Sequence, residues 1–530
     1  MHTIVACTNL RGSKIYQTQG AAMMEELLEE LRRPDAYPHE VDEVEVCQTH
    51  ISVVFLAGDY AYKLKKPVDL GFVDYSTLER RQHFCRREVE LNERLAPEVY
   101  LDVVAIYKNG GCRVLLDGEG DNVVEWAVRM KRLDEKDTLR HRLAERRLPA
   151  DLFERLAHRL ARFHDQSRGG PDIDACITFE KVEKNAIDNF RQTVDHVGLT
   201  VHEEVRQRLE ALTRVNLDKL EPVISRRAES GVARDTHGDL RLEHVYIGDD
   251  GRLRIVDCIE FNDAFRYADP VCDIAFLAMD LGFRGYDEES DRLLDSYFEA
   301  SDDDEGRKLV DFYIAYRSCV RAKVHGFKAR DSEVPQDERD RAIKMARAHW
   351  LYALARLEGP GRGPSLTLLA GLPATGKSTL GRRLCERGEA DILIESDVVR
   401  KELAGLEPTK NATAAPGEGI YSEEFSKKTY AEVARRAGQA LEKGRRVAVA
   451  ATFVADARRR RFIEVARSLG VPVRFIECRI SDEEAHQRLK ARSGDVSDAD
   501  IEVYEHLKHA WEEPSPKVDR VRKVRDTSAR

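Results

Sequence analysis

Gly371-Leu372-Pro373-Ala374-Thr375-Gly376-Lys377-Ser378-Thr379 follows the short apolar run Leu366–Ala370 and precedes a segment of helical periodicity. This is the GxxxxGK[ST] pattern of a phosphate-binding loop in its required strand–loop–helix setting. Glycine at 371 and 376 lets backbone N–H groups turn inward toward a phosphate chain. The N-terminus of the following helix adds positive potential. In such a loop the Lys377 ammonium bridges the terminal phosphates and the Ser378 hydroxyl ligates magnesium. Gly371, Thr375, Gly376, Lys377, Ser378 and Thr379 are therefore the expected nucleotide-binding set, with ATP and Mg2+ as cofactors.

A second constellation lies upstream. Thr236-His237-Gly238-Asp239 is followed by His244-Val245, then by Ile255-Val256-Asp257 and Glu260-Phe261. An acid near an acceptor hydroxyl and another on magnesium are the minimal needs of phosphoryl transfer from ATP. These residues resemble the aminoglycoside phosphotransferase branch of the protein-kinase-like fold. The resemblance implies that Asp239 is the catalytic acid and Asp257 a metal ligand. His244 stands where that family carries a metal-ligating Asn, and an imidazole suits magnesium less well than an amide oxygen. Either His244 ligates in its place or the metal is held differently.

The resemblance extends further upstream. Asp59-Tyr60-Ala61-Tyr62-Lys63-Leu64-Lys65 resembles the strand bearing the ATP lysine. Lys63 and Lys65 share a strand face, and Lys63 is favoured because it ends an apolar alternation. Glu88 matches the family's helical Glu that pairs with that lysine. Trp126–Leu133 is expected to be the hinge strand at adenine. Asp269 and Asp273 resemble supporting aspartates that brace the catalytic loop, and His164 matches a family helix end. The bland alternatives are a solvated lysine-rich edge strand and a surface charge at Glu88.

After the phosphate loop, Glu395-Ser396-Asp397-Val398-Val399-Arg400 resembles the Asp-x-x-Arg element of small P-loop kinases such as gluconate and polynucleotide kinases. By that resemblance Asp397 is a catalytic acid facing the acceptor and Arg400 holds an acceptor anion. The alternative is a helix N-terminus capped by Asp. Arg488 and Arg492, one turn apart, resemble the lid arginines that neutralise the transferring phosphoryl group; a solvated basic face is the alternative. Ala450 and Ala451 occupy the strand end where related kinases carry an Asp, leaving magnesium to Ser378, Asp397 and water.

The elements that must position these groups are legible in outline. Helical periodicity opens at Met24–Leu31, with residues 1–22 read as a disordered tail. Strand-like runs span 44–66 about a Gly58-Asp59 turn and 101–132, flanking a helix over 78–96. Helices dominate from 152 to 230, a hairpin covers 245–257, and helices continue to about 357. Glu358-Gly359-Pro360-Gly361-Arg362-Gly363-Pro364 reads as a linker. Strands and helices then alternate, which implies a parallel sheet covered by helices. The expected domains are an α+β kinase-like unit at 23–345, a helix end and linker at 346–363, and an α/β P-loop NTPase unit with a parallel sheet at 364–530.

At 530 residues the chain needs more than one core, and 42% hydrophobic with 34% charged residues is ordinary for a globular protein. A net charge of −10 argues against nucleic acid as a partner. No apolar run reaches the ~20 residues of a membrane span. The N-terminal stretch lacks a secretory apolar region, and 10 scattered cysteines without a CxxC pair fit a reducing cytoplasm. Together the two modules resemble bacterial fusions of an aminoglycoside phosphotransferase-like domain with a P-loop ATP-binding domain. The expected function is transfer of the ATP γ-phosphate to a small-molecule hydroxyl. The alternative is an ATP-sensing regulatory protein with one degenerate module, as His244 and Ala450 suggest. A nucleic-acid end kinase draws only on Asp397 and Arg400.

Overall fold

Side-chain alternation along one strand explains the first half of the computed structural model, which describes residues 19–108, 112–115, 123–332, 334–407, 418–491 and 501–528. Strands β1 (Val44–Gln48), β2 (Ser52–Ala57), β3 (Tyr60–Lys65), β4 (Tyr100–Lys108), β5 (Cys112–Leu115) and β6 (Val123–Lys131) form one antiparallel sheet in the order β1-β2-β3-β6-β4-β5. The even positions of β3, Tyr62 and Leu64, join Val53, Phe55, Ile106 and Ala127 in a core closed by Met24, Leu27 and Leu31. The odd positions face the other way, where Ala61 packs with Val54, Cys85, Val128 and Met130. Lys63 and Lys65 share the parity of Ala61, so both ammoniums enter this second layer. The β2–β3 register pairs Ala57 with Tyr60 across a two-residue turn, and Gly58 takes φ 57° at its first central position, which suits a primed hairpin turn.

The helix Leu78–Glu93 covers that layer. The Thr77 hydroxyl caps its N-terminus by accepting from the Arg80 N–H at 3.3 Å. Its buried stripe is Arg81, Cys85, Glu88, Leu91 and Asn92, a helical period that carries Glu88 to the lysines. Beyond the sheet the unit is mainly helical. The helix Pro270–Phe283 is buried along nearly its whole length and packs against the helix Asp287–Ser301; side-chain hydrogen bonds tie it to Leu152–Gln166 and Val310–Arg330. The hairpin of Val245–Ile247 and Leu253–Ile255 is antiparallel, as its alternation predicts.

The helix predicted at Met24 begins at Gln19, so residues 19–22 are helical; residues 1–18 lie outside the described residues. The chain divides into two compact units. One holds the described residues up to Gln192 and from Asn216 to Phe327; the other holds Thr193–Val215 and everything from Lys328 onward. The helix Gln336–Glu358, which buries Trp350, Leu351 and Leu354, thus groups with the second unit. The chain leaves that helix through Gly359 and Gly361, both at positive φ, before the strand Ser365–Ala370 begins.

That strand is the centre of a five-stranded parallel sheet. Its spatial order is Ile392–Glu395, Arg446–Ala450, Ser365–Ala370, Val473–Arg479 and Arg522–Asp526. Leu366, Leu368, Leu369, Val447 and Val449 are buried, as expected for parallel strands covered on both faces. The last strand and the helix Ile501–His509 were not legible in the sequence. Among the described residues no helix is long and apolar enough to cross a membrane.

Candidate active site

In the kinase-like unit the predicted lysine, glutamate and aspartate converge. Lys63 Nζ donates to Glu88 Oε1 at 2.7 Å and to Asp257 Oδ1 at 2.8 Å. All three side chains are buried. Burial alone would lower the Lys63 ammonium, but the Asp257 and Glu88 carboxylates hold it well above its ordinary value. Sequence reasoning missed the second half of this network. Lys65 Nζ donates to the other oxygen of Glu88 at 2.7 Å and also to Glu260. The Tyr75 hydroxyl donates to Glu260 at 2.6 Å. Glu260 is held below the ordinary carboxylate value by Lys65 and Lys63, against the opposing effect of burial. The shared parity of Lys63 and Lys65 was the available signal.

Asp257 occupies the left-handed region at φ 67°, which costs a non-glycine residue on the order of 1 kcal/mol. Its neighbours hold it there. The Asp257 N–H donates to the Tyr100 hydroxyl at 3.1 Å, and the Cys258 N–H to Asn92 Oδ1 at 2.9 Å. Asn92 in turn donates to the Glu88 carbonyl at 2.8 Å, so the Glu88 helix and the Asp257 turn are tied directly.

The catalytic-loop candidate is braced as the aspartate pattern predicts. Asp273 accepts from the His237 and Gly238 N–H groups, each at 3.0 Å, and its Oδ2 lies 3.2 Å from His164 Nε2. Burial would raise this carboxyl, yet the hydrogen bond with His164 and the nearby Arg317 guanidinium help pull it down to about 2. Asp269 instead caps the Pro270–Phe283 helix and pairs with Arg227 Nε at 2.7 Å. His237 is fully buried, and burial lowers it to about 4. Its Nδ1 accepts from the Asp239 N–H at 3.3 Å, so its Nε2 donates to the Val256 carbonyl at 3.0 Å. Gly238 has φ 82°, and a Cβ there would meet the Phe265 carbonyl at 3.0 Å.

Asp239 is buried and held bidentately by Arg241, from Nε at 2.8 Å and Nη2 at 3.1 Å. His244 lies between the two acids. Its Nδ1 donates to the Asp239 carbonyl at 2.8 Å, and its Nε2 is 3.5 Å from Asp257 Oδ2. Arg241 was missed because its guanidinium, two residues past the acid, reads as an ordinary loop charge.

The phosphate loop of the second unit has the backbone its sequence requires. Gly371, Ala374 and Gly376 take φ of 144°, 65° and 82°. A Cβ at Gly371 would meet the Cys478 carbonyl at 2.5 Å. Lys377 Nζ donates to the Leu372 carbonyl at 2.8 Å, and so does Thr375 Oγ1, also at 2.8 Å. Gly376 is the N-cap of the helix Lys377–Glu386, whose first turn bears Ser378 and Thr379. Arg488 Nη1 donates to the Ala374 carbonyl at 3.2 Å, which brings this arginine to the loop. Arg492 and the following Ser493–Asp498 segment lie outside the described residues. The loop also receives Thr527, whose hydroxyl donates to the Thr375 carbonyl at 2.6 Å. This contact, from the residue just past the strand Arg522–Asp526, had no sequence signal.

Asp397 sits in the first turn of the helix Ser396–Leu403, where Glu395 rather than Asp397 is the N-cap. Arg400 is buried; its Nη1 donates to the Ile420 carbonyl at 2.6 Å and to Ser426 Oγ at 3.1 Å. Its guanidinium stacks on Tyr421 at 5.1 Å.

The fold and these sites define a kinase-like phosphotransferase unit followed by a P-loop kinase-like unit. Residues 76–310 match the phosphotransferase enzyme family, and residues 366–514 match an AAA domain family. An uncharacterized protein of Mycobacterium tuberculosis is 32% identical over 477 residues, covering 88% of this chain and 90% of the relative. An uncharacterized protein of Mycobacterium bovis matches to the same 32% identity and the same extent. The chain belongs to the same family as these mycobacterial proteins, and in it a phosphotransferase-family domain is joined to a P-loop domain. Solved structures similar to parts of it include a choline/ethanolamine kinase family protein from Mesorhizobium loti, with TM-score 0.37, 14% identity and coverage of 63% of this chain and 98% of that one. A gluconokinase from Sinorhizobium meliloti 1021 has TM-score 0.24, 18% identity and coverage of 32% and 85% respectively.

Proposed function

We propose that the chain is an ATP-dependent phosphotransferase acting in the cytoplasm. Its kinase-like unit passes the γ-phosphate to a small-molecule hydroxyl, and its P-loop unit is a second nucleotide site. The observation that carries the reading is the convergence of Lys63, Glu88 and Asp257 beside the braced Asp239. Lys63, oriented by Glu88, is placed to hold phosphate oxygens of ATP. Asp257, with phosphate oxygens, water and the nearby His244, fits the sparse protein ligation that magnesium accepts, and the bound ion would neutralise the phosphates. Asp239 takes the proton of the acceptor hydroxyl. The hydroxyl oxygen bonds to the γ-phosphorus as the β–γ bridging P–O bond breaks, and ADP leaves.

In the P-loop unit the phosphate-holding groups are the loop N–H groups, Lys377 and Arg488, with Ser378 toward magnesium. Asp397 is the candidate acid. Arg400, bonded to Ile420 and Ser426, supports an acceptor site through that segment. The test is a comparison of two variants of the full-length protein. Asp239→Asn keeps magnesium–ATP affinity within about threefold and lowers transfer by roughly 10²–10⁴. Asp257→Ala weakens ATP binding in magnesium but not in EDTA. Transfer undiminished in Asp239→Asn would overturn the assignment.

A further inference from the structure

Both oxygens of Asp239 are occupied by Arg241, whose Nη1 also pairs with Glu243 and whose Nη2 lies 3.2 Å from His244 Nε2. Each oxygen keeps a second lone pair, so a hydroxyl can still donate to Asp239, but it does so in competition with the Arg241 guanidinium. Beside this cluster runs the helix Val310–Arg330. Arg317 on that helix donates to the Gly238 carbonyl at 3.2 Å and to the Cys272 carbonyl at 3.1 Å, which fixes the helix against the catalytic loop. Arg321 is one turn further along the same face.

Arg321 lies within electrostatic reach of Arg241, Asp239, Glu243 and Asp280. Each of those acids already has a partner. Asp280 accepts from the Leu242 N–H at 3.1 Å and from Arg284 at 2.9 Å, and Glu243 pairs with Arg241 and, at 3.4 Å, Arg140. No hydrogen bond or ion pair joins Arg321 to any of the described residues. Burial, then repulsion from Arg241, lower its guanidinium to about 10. A partly buried cation so placed is stabilised by an incoming anion.

We propose that the acceptor of the kinase-like unit carries an oxyanion, a carboxylate or a phosphate, close to its reacting hydroxyl, and that Arg321 together with Arg241 receives it. This inference rests on the phosphotransferase reading above. As the acceptor anion draws Arg241 from Asp239, the carboxylate loses a competing donor and accepts the hydroxyl proton. The proton moves to Asp239 and then to solvent, the hydroxyl oxygen bonds to the γ-phosphorus, and ADP departs from the broken P–O bond. The arginine pair thus both selects the acceptor and uncovers the acid. A cationic alcohol would meet two guanidiniums and leave Arg241 on Asp239.

The experiment measures phosphate transfer from labelled ATP by the full-length protein to glycerate, glycerol 3-phosphate, glycerol and ethanolamine, counting only transfer that Asp239→Asn abolishes. Glycerate or glycerol 3-phosphate should exceed glycerol and ethanolamine by at least about tenfold in kcat/KM; which of the two leads tells carboxylate from phosphate. Arg321→Gln should erase that preference through acceptor KM while leaving the KM for ATP in place, and Arg321→Lys should keep part of it. Both variants are checked by thermal melting, and the wild-type preference stands as a test even if one fails to fold. Preference for glycerol or ethanolamine, or an unchanged preference in folded Arg321→Gln, refutes the anionic acceptor while the phosphotransferase reading survives. If ATP binds and no acceptor of any charge is phosphorylated, that reading fails and the acceptor assignment falls with it.

Discussion

Glu88 gives the sharpest structural prediction. Its side chain is fully buried, and each carboxylate oxygen accepts from one ammonium at 2.7 Å, Lys63 on one side and Lys65 on the other. Glu88→Gln keeps the shape but removes the charge, and it turns an N–H group toward one of two buried ammoniums. Removing one partner of a buried ion pair costs roughly 3–5 kcal/mol. Here Asp257 and Glu260 remain to hold the two lysines, so the expected loss is about 2–4 kcal/mol. At ~2 °C per kcal/mol for a unit of this size, scanning calorimetry of the full-length protein should show a transition moving down by about 4–8 °C. Lys65→Met should lose part of its own cost in the Glu88→Gln background, with a coupling of about 1 kcal/mol or more in the double-mutant cycle. A shift below about 1 °C, with Lys65→Met and Glu88→Gln strictly additive, would show that Glu88 behaves as a surface charge and that the network argument is wrong.

Lys377→Ala should weaken nucleotide binding at the P-loop site by roughly 10–100-fold, the loss expected for a hydrogen bond between charged groups; equal affinity in a fluorescent-nucleotide titration would contradict the phosphate-cradle assignment. His244→Asn should preserve or raise magnesium-supported transfer, since an amide oxygen suits magnesium better than an imidazole nitrogen; a loss beyond about tenfold would mean the imidazole itself is required. His237 is lowered from 6.5 to about 4 by burial, so the unfolded chain binds its proton first as pH falls. Its contribution is fully present above about pH 6.5 and declines toward pH 4 by on the order of 3 kcal/mol. His237→Gln should flatten that part of the pH–stability curve, and an unchanged curve would contradict the buried neutral imidazole.

Much of this arrangement was written in short-range patterns. The strand–loop–helix setting of Gly371–Thr379 needs only local backbone geometry, so the loop was legible whole. The parity of β3 put Lys63 and Lys65 on one face, and the family resemblance pointed to Glu88, which the buried stripe of the Leu78–Glu93 helix carries to them. What stayed hidden depends on contacts distant in sequence. Glu260 and Tyr75 meet Lys65 only after the sheet and the loop following Asp257 have folded together. Thr527 reaches the phosphate loop through a fifth strand whose composition, Arg522-Lys523-Val524-Arg525-Asp526, carries almost no strand signal. Arg241 shows how charge alone misleads. A guanidinium in a loop is usually solvated, yet this one is buried against Asp239.

The central claim is that phosphoryl transfer occurs at Asp239, in the kinase-like unit. Its most direct test is transfer of labelled γ-phosphate by the full-length protein carrying either Asp239→Asn or Lys377→Ala, assayed on the same acceptors. The account predicts a loss of at least about 100-fold in Asp239→Asn and retention of most transfer in Lys377→Ala. Abolition by Lys377→Ala with transfer intact in Asp239→Asn would contradict it and place the chemistry at the P-loop.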